Sequence, residues 1–142
     1  MKINIKLQEG ADLPSYAHYG DAGFDIKTIE NDTILHPLER KLFKTGIFLE
    51  IPIGYNLEIR SRSGLALNSG ILVLNSPGTI DPGYRGEIGI ILFNTSNKDV
   101  LIKKGDRIAQ GILTKCETAD FCEVSNLSET SRNEKGFGSS GK

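Results

Sequence analysis

The stretch from 75 to 94, NSPGTIDPGYRGEIGIILFN, decides the fold because it joins a turn signal to a long apolar run. Asp81-Pro82-Gly83 is typical of a tight turn, and the part from 87 to 93 has the period-two alternation of a strand. We therefore expect a strand, a turn at this tripeptide and a long returning strand, which together make a hairpin with polar contents. An aspartate before Pro-Gly is usually only a turn former, so this stretch alone leaves a catalytic role for Asp81 open.

The same alternation recurs on both sides of this stretch. It spans 2–6, 41–51, 55–59 and 107–113. No window long enough for an amphipathic helix repeats apolar residues at helical spacing, and Gly and Pro recur between the alternating segments at intervals typical of sandwiches and barrels. The sequence predicts an all-β domain, a distorted jelly roll or β-barrel.

One short segment departs from the β pattern. SRSGLALN at 61–68 predicts a single short helix after Arg62, with Ser63 as its N-cap.

Length and charge exclude several classes of protein. A chain of 142 residues is one ordinary domain, and 17 basic against 18 acidic residues give a net charge of -1, with no general attraction to nucleic acid. No run approaches the roughly 20 apolar residues of a membrane span, and no secretory leader is visible, so the cytoplasm is the default expectation. Cys116 and Cys122, with two histidines in the chain, make neither a disulfide framework nor a zinc site, and we expect both thiols to be reduced.

The composition changes at Ser125. Beyond it, Leu127 and Phe137 are the two large apolar residues. Burial of two such side chains is too little to offset the loss of entropy when the segment becomes ordered. We therefore expect a β domain over 1–125 and a flexible, Gly/Ser-rich C-terminal tail over 126–142. The tail is either a solubilising segment or one that becomes ordered only over a ligand.

Four other strings are rich in small and polar residues, namely DAGFDI at 21–26, RSG at 62–64, GDRIAQ at 105–110 and RNEKGFGSSG at 132–141. Each has a structural explanation, such as a turn, a helix start or an unstructured tail. Arg62 and Ser63 at a helix start would also suit a phosphate. Strict alternation puts Gln110 on the same face as Asp106 and Ile108, where it is either a core amide or a ligand contact.

Taken together and in this order, the five strings resemble the five motifs of the homotrimeric deoxyuridine triphosphatase (dUTPase) family. GTID at 78–81 followed by YRG at 84–86 is the most specific part of the resemblance, and GDRIAQ is nearly as diagnostic. Three positions depart from the family pattern, which usually has proline where this chain has Ser61 and more often has glycine where it has Asn133 and Lys135.

The resemblance implies hydrolysis of dUTP to dUMP and pyrophosphate, which limits uracil incorporation into DNA and supplies dUMP for dTMP synthesis. Asp81 would be the general base that activates water for attack on the α-phosphorus. Tyr84 would pack beneath the deoxyribose, and Asp25 would be a supporting carboxylate that orients a neighbour or a metal-bound water. The uracil would be bound by Asn75, Gly78, Thr79, Ile80 and Gly89. The phosphates would be bound by Arg62, Ser63, Gly64 and Gln110. The site would be closed by the tail residues Arg132, Phe137, Gly138 and Ser139.

The resemblance also implies Mg²⁺ as the cofactor, chelated by the substrate phosphates with no direct protein ligand. Three subunits would build each site, with the tail of one crossing to a site formed mainly by the other two.

Three alternatives stay open at this point. A dCTP deaminase shares the architecture, but its catalytic glutamate would fall at Ile91. A non-catalytic relative would be expected to lose Asp81 or the tail motif, and this chain has both. A structural jelly roll would have no nucleotide affinity.

Overall fold

The computed structural model describes residues 1–134 and 136, and this part of the chain is mostly β-strand with one short helix. The strands are β1 (Asn4–Leu7), β2 (Phe24–Lys27), β3 (Thr33–Leu35), β4 (Arg40–Lys44), β5 (Ile47–Glu50), β6 (Tyr55–Arg60), β7 (Ile71–Val73), β8 (Gly78–Ile80), β9 (Gly89–Asn94), β10 (Val100–Ile102) and β11 (Arg107–Lys115). Helix α1 (Ser63–Ser69) lies between β6 and β7.

The strands form four antiparallel sheets. The largest has the order β2-β11-β6-β8, the next β4-β9-β7, and the pairs β1-β5 and β3-β10 complete the set. The prediction of an all-β domain with one short helix is confirmed. The sheets are separate and do not close into a barrel.

The core lies between the sheets and is built from their inward-facing apolar side chains. Phe43, Ile90 and Leu92 of the three-stranded sheet are fully buried, as are Ile26, Leu57 and Ile108 of the four-stranded sheet. One amide is buried with them, because the Asn94 Nδ2 group donates to two main-chain carbonyls at 2.9 and 2.8 Å. Such pairing satisfies a polar group that would otherwise destabilise the core.

The alternating run at 41–51 is two strands and not one. Thr45 and Gly46 separate β4 from β5, and Gly46 has a φ of +66°, which favours glycine. A Cβ at this position would lie 2.8 Å from that of Ala11. The three-residue strands β3, β7 and β10 were not predicted, because an alternation of apolar and polar residues cannot be recognised over three positions.

The predicted turn at Asp81 is present, because the Tyr84 N–H donates to the Asp81 carbonyl at 3.1 Å. The predicted hairpin is wrong. Strand β8 pairs with β6, whereas β9 pairs with β4 and β7 in the other sheet. The connection between β8 and β9 is longer than a hairpin turn and carries the chain from one sheet to the other.

Ser63 is not the N-cap of α1. The cap is Arg62, whose backbone is extended (φ -88°, ψ 126°), and no side chain accepts a hydrogen bond from the first turn. The helix ends at Gly70, which has a φ of +66° and donates to the Ala66 carbonyl at 3.1 Å.

The chain beyond β11 has no helix or strand among its described residues. Positions 117–134 are all exposed, and Phe121 and Leu127 expose 97% and 87% of their surface. Regular structure thus ends before the predicted boundary at 125. In the part of the chain that the structure describes, no helix has the length and apolar character needed to cross a membrane.

Candidate functional site

Ten of the predicted site residues line two clefts that share no lining residue. The first, here called the arginine cleft, has a volume of about 440 Å³ and is lined by Asp25, Arg62, Ser63, Gly64, Arg107 and Gln110, among others. The second, here called the turn cleft, has a volume of about 310 Å³ and is lined by Leu42, Thr79, Ile80, Asp81, Tyr84, Glu87, Gly89 and Ile91. They lie towards opposite edges of the four-stranded sheet, since β2 borders the arginine cleft and β8 the turn cleft.

Asp25 is at the centre of the arginine cleft. One carboxylate oxygen lies 2.8 Å from Nε of Arg62, and the other lies 3.1 Å from Nη1 of Arg107. The Arg62 Nη1 group also donates to the Arg107 carbonyl at 3.0 Å. The carboxylate therefore joins two guanidinium groups in one cluster.

A β-bulge explains how Arg107 and Gln110 reach the same cleft. Arg107 is opposite Lys27 and Gln110 is opposite Asp25, and the register shifts between them. The extra residue puts both side chains on one face of β11, while Ile108 and Ala109 are both buried. The expectation that Gln110 shares a face with Ile108 is therefore wrong, because strict alternation does not hold through a bulge.

The Gln110 side chain is held in place from two sides. Its Nε2 group donates to the Ser61 carbonyl at 2.9 Å. A Cβ on Gly23 would lie 2.8 Å from its Oε1 atom, so glycine is needed there for the amide to keep this position. Ser61, one of the departures from the family pattern, accepts a hydrogen bond on Oγ from the Val73 N–H at 2.8 Å. A proline at position 61 would lack this link between β6 and β7.

The turn cleft is bordered by a loop with its own hydrogen bonds. The Tyr84 hydroxyl donates to the Glu87 carbonyl at 2.9 Å, and Oε1 of Glu87 accepts from the Gly46 N–H at 2.9 Å. A Cβ on Gly86 would overlap the Tyr84 ring. Asp81 is exposed at this cleft, and its carboxylate has no hydrogen-bond partner among the described residues.

Asn75 and Gly78 lie beside the turn cleft and not in its lining. Gly78 is buried, Asn75 is exposed, and a Cβ on Gly78 would lie 3.1 Å from the Asn75 amide nitrogen. Gly89 is in the lining, where a Cβ would lie 2.7 Å from Cδ1 of Leu42. At both glycines, a neighbouring side chain therefore occupies the space that a Cβ would take.

Part of the tail motif is described. Arg132 is exposed, and Asn133 has a φ of 45°, in the left-handed region that favours glycine but that asparagine tolerates. The Asn133 N–H donates to Oγ1 of Thr130 at 2.9 Å. Phe137, Gly138, Ser139 and Lys135 lie outside the described residues.

Several lining residues were not predicted as site residues, among them Arg107, Leu42, Glu87 and Ile91. Arg107 lies inside the GDRIAQ string, so its signal was available, whereas Leu42 and Ile91 carry no signal beyond their apolar character. Among residues 1–134 and 136, no cluster of three or more His, Cys, Asp or Glu side chains could hold a metal ion.

Comparison with known proteins gives concordant matches. The sequence profile of the dUTPase family matches residues 9–141. The deoxyuridine 5'-triphosphate nucleotidohydrolase of Hydrogenobaculum sp. (strain Y04AAS1) is 49% identical over 142 residues, covering 99% of this chain and 99% of the relative. The enzyme of the same name from Helicobacter pylori (strain P12) is 51% identical, covering 99% and 97%.

Solved structures agree with the sequence matches. The Staphylococcus bacteriophage 80alpha dUTPase with dUPNHPP superposes with a TM-score of 0.88 at 30% identity, covering 99% of both chains. A mutant dUTPase from phage phi11 of S. aureus, whose structure concerns the coordination of a structural Mg(II) ion, gives a TM-score of 0.83 at 25% identity, covering 91% of this chain and 100% of the other.

Proposed function

Because the chain belongs to the dUTPase family, hydrolases that convert dUTP to dUMP and pyrophosphate, we propose that its two clefts divide the substrate between them. The turn cleft takes the deoxyuridine and the arginine cleft takes the triphosphate. The observation that carries this assignment is the separation of chemistry between the clefts. The exposed carboxylate of Asp81 lies in one, and the guanidinium groups lie in the other.

Asp81 acts as the general base. Its exposed carboxylate, without a partner among the described residues, is available to accept a proton from water. The water then attacks the α-phosphorus, and pyrophosphate leaves. A positioned carboxylate contributes a factor of about 10² to 10⁴ in such reactions.

The nucleoside is bound largely by main-chain groups near the turn. Asn75, Gly78, Thr79, Ile80 and Gly89 contact the uracil. Two of these are glycines, against which the side chains of Asn75 and Leu42 lie closely. The Tyr84 ring packs beneath the deoxyribose, and its hydrogen bond to Glu87 keeps it there. A slot of this kind leaves little space for a 5-methyl group or a 2'-hydroxyl.

The phosphates are bound in the arginine cleft. Arg62, Ser63, Gly64 and Gln110 contribute charge and hydrogen-bond donors, with Asp25 as a support that orients Arg62. Arg132 and Ser139 bind the terminal phosphate, while Phe137 and Gly138 close over the base. The roles of these four tail residues are assigned from the tail motif and not from contacts in the structure.

Mg²⁺ accompanies the substrate, chelated by its phosphates. Both oxygens of Asp25 already contact arginine side chains, and this supports binding of the ion through the phosphates. The ion would offset phosphate charge when bound.

A homotrimer with shared sites completes the proposal. Within one chain the two clefts have no lining residue in common, and the tail begins in an exposed segment at 117–134. A site assembled between copies would bring Asp81 of one chain to Arg62 of another. We propose the cytoplasm as the compartment, consistent with the free thiols of Cys116 and Cys122.

Pyrophosphate release measured with dUTP, dCTP, dTTP and UTP tests the function. We expect turnover of dUTP with strong preference over the other three. Ammonia release from dCTP would indicate the deaminase instead, although Ile91 in the turn cleft cannot transfer protons. Binding without turnover would indicate a non-catalytic relative, and no binding at all would indicate a structural protein.

A further inference from the structure

We propose that Arg107 is a positioning residue for the phosphate site, acting through Asp25 on Arg62. The inference rests on the proposed role of Arg62 in binding the substrate phosphates. Arg107 would not contact the phosphates itself. It would fix the direction in which the Arg62 guanidinium presents its remaining donors.

Two separate links connect Arg107 to Arg62. The Arg107 side chain contacts one oxygen of Asp25 at 3.1 Å, while Arg62 contacts the other at 2.8 Å. The main-chain carbonyl of Arg107 accepts from Nη1 of Arg62 at 3.0 Å. The Arg62 guanidinium is therefore held through both Nε and Nη1, which fixes its plane.

Exposure separates the roles of the two arginines. The Arg62 and Asp25 side chains are 27% and 24% exposed, whereas Arg107 is 53% exposed. Arg62 adjoins Ser63 and Gly64 at the start of α1, and the Arg107 side chain contacts the Asp25 oxygen that Arg62 does not contact. Arg107 thus supports the Asp25 carboxylate through its second oxygen.

Charge gives Arg107 a second effect. A lone Asp25–Arg62 pair would be neutral and would attract a triphosphate weakly. With Arg107 the three groups carry a net charge of about +1 by formal counting. The carboxylate can then orient Arg62 without cancelling the positive charge of the cleft.

The bulge in β11 makes this arrangement possible. It places Arg107 and Gln110 on one face, with Asp25 directly opposite Gln110 on β2. In a regular strand without a bulge, a separation of three positions would put the Arg107 side chain on the opposite face from Gln110.

A double-mutant cycle tests the inference. Arg62→Ala, Arg107→Ala and the double variant are compared by kcat/KM for dUTP with Mg²⁺ and by affinity for a non-hydrolysable dUTP analogue. Misplacing a binding group by about 1 Å can cost roughly 100-fold, so we expect Arg107→Ala to lose about 10- to 100-fold. In the Arg62→Ala background the same change should cost about threefold or less, because its target is already absent.

Controls separate positioning from other roles. Arg40→Ala, an exposed arginine at the start of β4, should keep full activity. Deoxyuridine has no phosphate, so its affinity should be unchanged in Arg107→Ala. Arg107→Lys should recover part of the loss, since an ammonium can still donate to Asp25 and the main-chain carbonyl is retained.

Each contrary result has a distinct meaning. Additive losses in the double variant would show that Arg107 contacts the phosphates directly, and a full-activity Arg107→Ala would show that it has no role. Equal losses for deoxyuridine and the triphosphate analogue, or no recovery in Arg107→Lys, would indicate a general structural role. Any of these overturns the inference. If Arg62→Ala itself keeps full activity, the phosphate role of Arg62 in the proposed function fails as well.

Discussion

The Tyr84 hydroxyl donates a hydrogen bond to the Glu87 carbonyl, with 2.9 Å between the two oxygens. The ring is thus anchored at its outer end as well as at its main chain, and it spans Gly86 between the two. Because this bond lies within the loop, it does not depend on a ligand. The wall that the ring presents to the turn cleft is formed before substrate arrives.

Discrimination against ribose is the first prediction. A 2'-hydroxyl must displace the Tyr84 ring or be buried without a partner, which costs about 1 to 3 kcal/mol. UTP should be disfavoured by at least about tenfold, and Tyr84→Ala should narrow that ratio while lowering kcat/KM for dUTP. Tyr84→Phe is the matched control and should keep most of the preference. An unchanged ratio in Tyr84→Ala would place the discrimination elsewhere.

Loss of the general base is the second prediction. Asp81→Asn removes the proton acceptor but keeps the shape of the turn, whose hydrogen bond from Tyr84 uses the Asp81 carbonyl. Turnover of dUTP should fall by a factor of about 10² to 10⁴, while affinity for a non-hydrolysable analogue stays within about tenfold. Parental turnover in a folded Asp81→Asn protein would rule out the role.

The space beneath the tyrosine ring gives the third prediction. In Gly86→Ala, the added Cβ would overlap the Tyr84 ring. The ring would therefore have to move, and its hydroxyl would lose the hydrogen bond to Glu87. We expect kcat/KM for dUTP to fall by about tenfold or more. Gly83→Ala, in the same loop but with nothing within 4 Å of its Cβ, should change activity little. Equal effects of the two substitutions would contradict the steric explanation.

Shared sites are the fourth prediction. The protein should sediment near three times its chain mass of 15.5 kDa. Mixing Asp81→Asn chains with chains truncated after Thr130 should restore activity that neither has alone, because mixed trimers can combine an intact tail with an intact Asp81. A fully active monomer in sedimentation would exclude the shared-site arrangement.

The fifth prediction concerns the tail itself. Truncation after Thr130 begins within an exposed segment, so the melting temperature without nucleotide should change little. Stacking on a base contributes about 1 to 3 kcal/mol and a charged phosphate contact about 1.5 to 3 kcal/mol. We therefore expect kcat/KM to fall by about 10² to 10⁴.

A substitution in the tail gives a second measurement. Phe137→Trp should retain activity and report nucleotide binding by fluorescence, since the chain has no tryptophan. A large drop in melting temperature on truncation, or undiminished hydrolysis, would contradict the assignment of Arg132, Phe137 and Ser139 to the site.

Local chemistry made some of these features predictable from sequence. The turn at Asp81 follows from Pro and Gly at neighbouring positions, and the helix after Arg62 follows from a short run without alternation. The motif strings also identified most residues that line the two clefts. Each of these signals lies within a few consecutive residues.

The features that could not be predicted depend on distant parts of the chain. The pairing of β8 with β6 is set by how the sheets assemble, and nothing in the local sequence distinguishes that partner from β9. The bulge before Ala109 shows no glycine or proline to mark it. Leu42 reaches the turn cleft only because β4 pairs with β9, which brings it opposite Ile91.

The bulge in β11 also makes the phosphate site sensitive to chain length. Arg107 and Gln110 share a face although three positions separate them, because the bulge takes up one residue, whereas a regular strand would require an even separation. Inserting one residue between them while the bulge is kept would leave every site side chain present, yet it would turn one of the two away from Asp25. The spacing within GDRIAQ is therefore a constraint on residue number, separate from the constraint on residue identity.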